Sequence, residues 1–251
     1  NLLNAYNWDY MTRAVTINPT PGEIKVHEFD YKGVNQVVYE EQGVTIRSFP
    51  TIHAGDGPVS YSLEWKDYKI VIGGDTAPNK WEIEYAKDAD LFIHEAFMTA
   101  PQMMEKYGQP AQLAARINLT FHTSAQAFGK IMTTVKPRHA VAYHFFNDAD
   151  TRYGIYQGIR ESYDGPLSMA DDMRVWNITK DKVVERMAVS PDAAWDVPGP
   201  GKPLAPDPTR KSEYTEFILK GRFDTSDVDR RWLEEFMKKH NLTEDDLKIG
   251  E

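Results

Sequence analysis

The residues whose types and order fit metal or acid–base chemistry are three histidines and one aspartate: His53, Asp75, His122 and His144. His53 follows a predicted strand, Asp75 and His144 lie at the ends of predicted strands, and His122 precedes a predicted helix. In layered α/β folds functional side chains gather where the strands end. Each residue taken singly is typical of a hydrogen-bonded core or turn residue. As an ordered set they indicate a site for a divalent cation such as Zn²⁺, which binds imidazole nitrogen and carboxylate oxygen.

The choice of metal ligands is narrowed by the absence of cysteine from all 251 residues. This composition excludes disulfides, thiolate nucleophiles, iron–sulfur clusters and zinc sites built on cysteine. Any bound metal must therefore be held by His, Asp or Glu. A chain without cysteine is compatible with either the cytoplasm or the periplasm.

The charge balance is acidic, with 29 Lys and Arg against 38 Asp and Glu and a formal net charge of −9. This charge opposes attraction to nucleic-acid phosphates and to anionic lipid. No apolar run approaches the roughly 18 residues that a membrane-spanning helix needs. We therefore expect a small-molecule substrate and disfavour nucleic acid and membrane as partners.

The elements that must position these residues are predicted from hydrophobic periodicity. Alternating segments predict strands over residues 24–29, 36–39, 44–49 and 60–65. Apolar runs predict buried strands over residues 68–75, 90–95 and 140–145, with helices over 79–87, 123–135 and 153–163 and a hairpin over 173–178 and 182–189. Strands followed by strand–loop–helix units are typical of a layered α/β fold.

Composition changes after residue 190 and suggests three parts. Residues 1–190 form the main domain, residues 191–225 are a linker rich in Pro and Gly, and residues 226–251 form a C-terminal helical extension. The first helix of the extension carries an apolar stripe of Trp232, Leu233, Phe236 and Met237. Because such a stripe needs a surface to cover, we expect it to dock on the core, with a homodimer contact or an active-site lid as alternatives.

The order of five short motifs resembles the metallo-β-lactamase superfamily, in its ribonuclease Z-like and arylsulfatase-like branch. The motifs are Ser-Phe-Pro-Thr-Ile-His over residues 48–53, Ile-Gly-Gly-Asp-Thr over 72–76, His-Glu-Ala over 94–96, His-Thr-Ser over 122–124 and Tyr-His-Phe over 143–145. The resemblance covers roughly residues 24–180. It implies an α/β fold, the four-layer αβ/βα sandwich, and a hydrolase that uses metal-activated water at a binuclear site.

The resemblance also implies roles for individual residues. His53 would ligate the first metal, Asp75 would bridge both metals, and His144 would ligate the second. His122 would act as a general acid or an oxyanion-stabilising donor, and Glu95 would orient it. Two Zn²⁺ ions are the implied cofactor, with Mn²⁺ or Fe²⁺ as alternatives.

Aromatic residues near the predicted strand ends are candidates for substrate binding, namely Phe145, Phe146 and Trp81. Aromatic side chains in such places are at least as often part of the core. Together with the acidic charge they favour a neutral or aromatic small substrate, such as an ester, an amide, a lactone or an activated halo-aromatic. A ribonuclease Z-like phosphodiesterase is the alternative. His94, on an apolar strand, is predicted to be a packed structural histidine.

One signature of the family is absent from the sequence. The motif His-x-His-x-Asp-His, which supplies the remaining metal ligands, occurs nowhere in the chain. The family places it upstream of the His53 motif, so we expect the chain to begin after it and to be incomplete at its N-terminal side. The alternative is a non-catalytic binding or assembly protein that has lost the motif.

Overall fold

The structure, a computed structural model, describes residues 26–188 and 214–247. The chain divides into two units, Asn1–Asp30 and Tyr31–Glu251. In the first unit the described residues, 26–30, have no regular secondary structure, so the strand predicted over 24–29 is absent there. The alternating pattern of that segment was misleading because alternation alone does not provide a pairing partner. All the helices and strands reported below belong to the second unit.

The main element of the second unit is a seven-stranded sheet whose spatial order follows the chain. Its strands are β1 (Gln36–Glu41), β2 (Val44–Pro50), β3 (Val59–Trp65), β4 (Tyr68–Ile72), β5 (Leu91–Glu95), β6 (Ala140–Tyr143) and β7 (Leu167–Met169). The strands β8 (Arg174–Ile178) and β9 (Val183–Met187) form a separate antiparallel pair. Apart from β7, these strands and the hairpin confirm the predictions made from periodicity.

The described helices are α1 (Lys80–Tyr85), α2 (Ala100–Tyr107), α3 (Ala111–Thr120), α4 (Ala125–Val135), α5 (Ala149–Arg160), α6 (Glu216–Leu219), α7 (Ser226–His240) and α8 (Glu244–Leu247). The predicted helices over 79–87, 123–135 and 153–163 are confirmed as α1, α4 and α5. The helices α2 and α3 were not predicted. None of the described helices has the length and the apolar character that a membrane crossing requires.

Strand direction places several strand ends at one edge of the sheet. Both β2 and β4 pair antiparallel with β3, so they run in the same direction. The pairs β4–β5 and β5–β6 are parallel. Four strands, β2, β4, β5 and β6, therefore end at the same edge, where the chain continues into His53, Asp75, the end of β5 at Glu95, and His144. The sheet thus gathers residues that are far apart in sequence.

The main core lies where α4 and α5 pack against one face of this sheet. Phe49, Val71 and Phe92 are buried on the strands, and Phe128 and Ile155 are buried on the helices. The helical spacing of apolar residues in α4 produces this packing because residues three and four apart share one face. The mixed α/β architecture expected from the sequence is confirmed.

The C-terminal segment packs on the helices. Trp232 and Phe236 of α7 lie in a second cluster with Met103 of α2 and Ala115 of α3. The apolar stripe of α7 therefore covers a surface of the same chain, as expected. Residues 189–213, which make up most of the predicted linker, lie outside the described residues, and α6 occupies part of the remainder. The domain boundaries and the homodimer contact stay predictions.

Candidate metal centre

The structure brings the four predicted histidine and aspartate side chains together. Nε2 of His144 lies 3.3 Å from Oδ2 of Asp75. The ring of His122 lies 5.0 Å from that of His53 and 5.2 Å from that of His144, measured between centroids. The side chains of Asp75 and His144 are 35% and 34% exposed, so solvent reaches them. The four side chains line one accessible corner of the sheet edge.

His53 is held in an orientation that suits a metal ligand. Its Nδ1 lies 3.0 Å from the backbone carbonyl oxygen of Phe121. Histidines that ligate metals usually use one ring nitrogen for such a hydrogen bond, which leaves the other nitrogen for the metal. In His53 this leaves Nε2 for a cation.

His144 has an unusual backbone conformation. Its φ is +68°, in the left-handed region that residues other than glycine rarely adopt. Ala54, directly after His53, has φ +48°. Strained backbone of this kind persists where the surroundings hold it and is common at functional sites. The turns that follow β2 and β6 therefore set the directions of both imidazoles.

Glu95 and His122 form a buried pair. Oε2 of Glu95 lies 2.8 Å from Nδ1 of His122, while Oε1 accepts the backbone N–H of Thr76. Glu95 is fully buried and His122 is almost so. This arrangement fixes the imidazole and directs Nε2 away from the carboxylate, which is the geometry expected of an orienting carboxylate.

Burial is the main cause of the pKa shifts of His122 and Glu95. It lowers the pKa of His122 to about 3, with a further contribution from the nearby rings of His53 and His144. Burial also raises the pKa of Glu95 well above its ordinary value, against the stabilising N–H group of Thr76. Both directions favour the uncharged forms. A cation bound nearby would favour the carboxylate of Glu95 instead.

Phe97 is a site residue that the sequence reasoning missed. Its ring stacks on His122 with centroids 3.8 Å apart and an interplanar angle of 9°. It also stacks on His144 at 5.3 Å and 28°. One phenyl ring therefore restricts the rotation of two imidazoles. The available signal was its position, directly after the His-Glu-Ala motif.

His94 has the packed, structural role that the sequence predicts. It is completely buried, and its Nε2 lies 2.9 Å from Oε2 of Glu82. The same carboxylate accepts hydrogen bonds from Ser60 at 2.7 Å and from Asn79 at 2.8 Å. Asn79 in turn donates to the hydroxyl of Thr76 at 3.1 Å. A buried polar network therefore supports the loop that carries Asp75.

The three predicted substrate-binding aromatics lie in different surroundings. Phe145 and Phe146 line a cavity that also contains His144. Trp81, on α1, packs against Phe217 with ring centroids 5.4 Å apart. Trp81 also contacts the buried cluster of Ile52, Ala77 and Ile218. The contacts of Trp81 are thus those of a packing residue, and its role in substrate binding stays a prediction.

Two donor sets could hold a cation at this corner. Among the described residues, ligand atoms of Glu95, His122 and His144 lie within 4.8 Å of one another. Both oxygens of Glu95 are already engaged by Thr76 and His122, however. Asp75 is accessible and adjoins His144, and His53 has a free nitrogen, so the set predicted from sequence fits a cation better. Two imidazoles and one carboxylate match the three protein ligands of a catalytic zinc site.

Comparison with curated proteins finds a relative that is named as a ribonuclease. No protein-family model matches the chain. Over 190 residues the chain is 26% identical to a ribonuclease Z of Pseudomonas putida (strain W619), a match that covers 68% of this chain and 52% of the relative. The chain therefore spans about half the length of this curated relative.

Two solved structures are similar at lower levels. The metallo-β-lactamase fold protein YhfI from Bacillus subtilis is 17% identical with a TM-score of 0.43, covering 55% of this chain and 51% of that one. The short form of human tRNase Z is 19% identical with a TM-score of 0.35, covering 53% and 43%. The chain is thus similar to proteins of the metallo-β-lactamase superfamily, through its sequence match to a ribonuclease Z and through the ordered motifs that meet at one sheet edge.

Proposed function

We propose that this protein is a metal-dependent hydrolase. The observation that carries the proposal is the meeting of Asp75, His53 and His144 at one accessible corner, beside the buried pair of Glu95 and His122. These residues come from the ends of strands or the start of a helix spread over about ninety positions of sequence. Packing alone does not require so many titratable groups at one solvent-exposed point.

In this proposal His53, Asp75 and His144 hold the metal. A divalent cation held by these residues would supply an activated water and would polarise the bond that is cleaved. Zn²⁺ is the preferred ion because imidazole nitrogen and carboxylate oxygen both suit it. The second zinc ion implied by the family resemblance needs ligands beyond these three.

His122 acts on the substrate in this scheme. Glu95 holds Nδ1, so Nε2 of His122 is the atom that faces the reacting group. Phe97 stacks on the imidazole of His122 and restricts its rotation. When the ring is protonated, its Nε2–H stabilises negative charge on the leaving oxygen or transfers its proton to that oxygen, as oxyanion donors and general acids do.

The substrate that we prefer is a small molecule with an ester, amide, lactone or activated halo-aromatic bond. The aromatic lining beside His144 supports this choice. The acidic net charge of the chain gives this choice less support, because acidic residues near the site are paired with a cation. Asp148 and Asp150, which follow His144 in the sequence, both pair with Lys106 at 3.1 Å.

A ribonuclease Z-like phosphodiesterase is the second candidate. The match to a ribonuclease Z favours it directly, since that relative is named for action on RNA. Net charge therefore does not exclude nucleic acid as a substrate. A non-catalytic protein of the same fold is the third candidate, supported by the absence of the His-x-His-x-Asp-His motif.

Hydrolysis assays separate the three candidates. The zinc-loaded full-length gene product is tested on p-nitrophenyl acetate and on bis(p-nitrophenyl) phosphate, with a chelator as control. Acetate-ester cleavage that needs metal supports the preferred function, whereas phosphodiester cleavage with a steep salt dependence of substrate affinity supports the second. If the protein binds zinc but cleaves neither substrate, the result contradicts a hydrolase and supports the non-catalytic protein of the same fold.

A further inference from the structure

A small cavity opens beside His144. Its volume is about 200 Å³, and its lining is Phe97, Met98, Tyr107, His144, Phe145 and Phe146. Four of these six residues are Phe or Tyr. A cavity of about 150 Å³ is enough to hold a benzene ring. The space therefore matches one six-membered ring and is too small for a longer segment of a polymer.

Two rings of the lining are available to a ligand. Tyr107, the last residue of α2, and Phe146, in the loop after β6, are each 39% exposed. Their centroids lie 5.1 Å apart with an interplanar angle of 36°. Aromatic surface left in water is unfavourable at roughly 25 cal/mol per Å², so covering it with another ring gains free energy.

An ion-pair cluster holds the two sides of the cavity together. Lys106, next to Tyr107 in sequence, lies 3.1 Å from carboxylate oxygens of both Asp148 and Asp150. Asp148 also caps α5 by accepting the N–H of Thr151 at 2.9 Å. These contacts tie the end of α2 to the loop that carries Phe146. The cavity is therefore present before a ligand arrives, which reduces the entropic cost of binding.

The cavity shares two side chains with the proposed reaction centre. His144 is part of its lining, and Phe97 stacks on both His144 and His122. A ring seated in the cavity places its substituent next to the imidazoles. We propose that this cavity is a subsite for a planar aromatic ring of the substrate and that Tyr107 is its specificity-determining residue.

The assignment of a substrate subsite rests on the proposed function, but the binding of a ring to the cavity can be measured without any catalytic activity. A planar ring reaches this site from two sources, the aryl group of a small ester or amide and the base of a nucleotide. Benzamide and adenosine represent these sources. Cyclohexanecarboxamide is the matched probe that has the size of benzamide but lacks the flat π-face that stacking requires.

The experiment measures binding of the three probes by isothermal titration calorimetry, with the protein zinc-loaded and again after chelation. The variants are Tyr107→Ala, which removes the ring, and Tyr107→Phe, which keeps it. The control is Tyr156→Ala, since Tyr156 on α5 is also a helical tyrosine, is 42% exposed and lines a different cavity. Circular dichroism verifies that each variant is folded.

We expect benzamide or adenosine to bind more tightly than cyclohexanecarboxamide. Tyr107→Ala weakens the binding of the aromatic probe by about three- to tenfold, the range for one lost ring contact. Tyr107→Phe and Tyr156→Ala leave it within about twofold. Preference for benzamide assigns a small aryl substrate, and preference for adenosine assigns a nucleobase.

The proposal is overturned by equal binding of benzamide and cyclohexanecarboxamide, by undetectable binding of both aromatic probes, or by a Tyr107→Ala effect no larger than that of Tyr156→Ala. These results are distinct from failure of the proposed function. If the protein binds the aromatic probe but neither binds zinc nor hydrolyses esters, the proposed subsite is supported and the proposed hydrolase function is contradicted.

Discussion

Oε2 of Glu95 lies 2.8 Å from Nδ1 of His122, and the other oxygen of this carboxylate accepts the N–H of Thr76, the residue after Asp75. A single buried carboxylate therefore links the proposed acid–base histidine to the loop that carries a proposed metal ligand. Since this side chain serves both, its replacement is expected to affect catalysis more than its buried position alone would suggest.

Replacement of either partner in this pair is expected to lower turnover without removing the metal. His122→Ala lowers kcat by about 10²- to 10⁴-fold, the usual contribution of a positioned acid or base. Glu95→Gln, which keeps the shape, lowers it by about 10- to 100-fold because the imidazole loses its orienting carboxylate. Steady-state kinetics and zinc analysis are the measurements.

The control for this pair is His27→Ala, which removes an exposed histidine of the first unit. It is expected to leave kcat and zinc content unchanged. Full activity in His122→Ala, on a substrate that the wild-type protein cleaves only with metal, would contradict the assigned role.

The glycine pair before Asp75 allows a matched stability test. A Cβ on Gly73 would lie 2.7 Å from Oε1 of Glu82, whereas one on Gly74 would meet only the carbonyl oxygen of Val59 at 4.0 Å. Glu82 is fully buried, and its hydrogen bonds with Ser60 and His94 oppose its displacement. Gly73→Ala is therefore expected to cost about 1–3 kcal/mol of unfolding free energy.

Gly74→Ala is expected to change the free energy of unfolding by no more than about 0.5 kcal/mol. Urea denaturation of both variants measures the difference. Equal effects at the two positions would show that the approach of Glu82 to the backbone does not restrict residue 73.

The buried pair of His94 and Glu82 predicts a pH dependence of stability. Burial alone would lower the pKa of His94, but the charge and hydrogen bond of Glu82 outweigh it and raise that pKa. A histidine whose pKa is raised on folding stabilises fully below about pH 6.5, its unfolded pKa. The contribution is lost as the pH rises through the higher pKa of the folded state. Relative to His94→Gln, the wild-type protein should therefore lose unfolding free energy with rising pH.

His139 provides a comparison of opposite sign. Burial lowers the pKa of His139, with partial opposition from Glu185. The wild-type protein should therefore gain unfolding free energy relative to His139→Gln as the pH rises through about 6.5. Urea unfolding from about pH 6 to about pH 9 measures both differences. The raised pKa of His94 is contradicted if the difference in unfolding free energy between the wild-type protein and His94→Gln does not decrease as the pH rises.

Much of the framework could be predicted from sequence because its signals are local. The run that forms β5 is apolar and bounded by polar residues, and His94 within it was identified as structural. Such local signals show where the strands end, and the positions of the strand ends identify His53, Asp75 and His144 as candidates. The segment over 24–29 shows the limit of such reasoning, since its alternation does not correspond to a strand over the described residues 26–29.

The missed parts depend on contacts between distant segments. The helix α2 carried its own signal, a capping box of Thr99 and Gln102 and a left-handed Gly108 at its end. That signal predicts a helix but not that Tyr107 meets Phe146, which is 39 positions away. The stacking of Phe97 on two imidazoles is likewise set by tertiary packing. Neither contact has a spacing that periodicity could show.

The most direct test of the central claim is the zinc content of the protein and of three ligand variants. After saturation and dialysis, we expect at least one tightly bound zinc per chain. We also expect a large loss of zinc in His53→Ala, Asp75→Asn and His144→Ala, with no change in His27→Ala. Less than one zinc per chain in the wild-type protein, or equal zinc in all these variants, would contradict the claim that these three residues hold a metal.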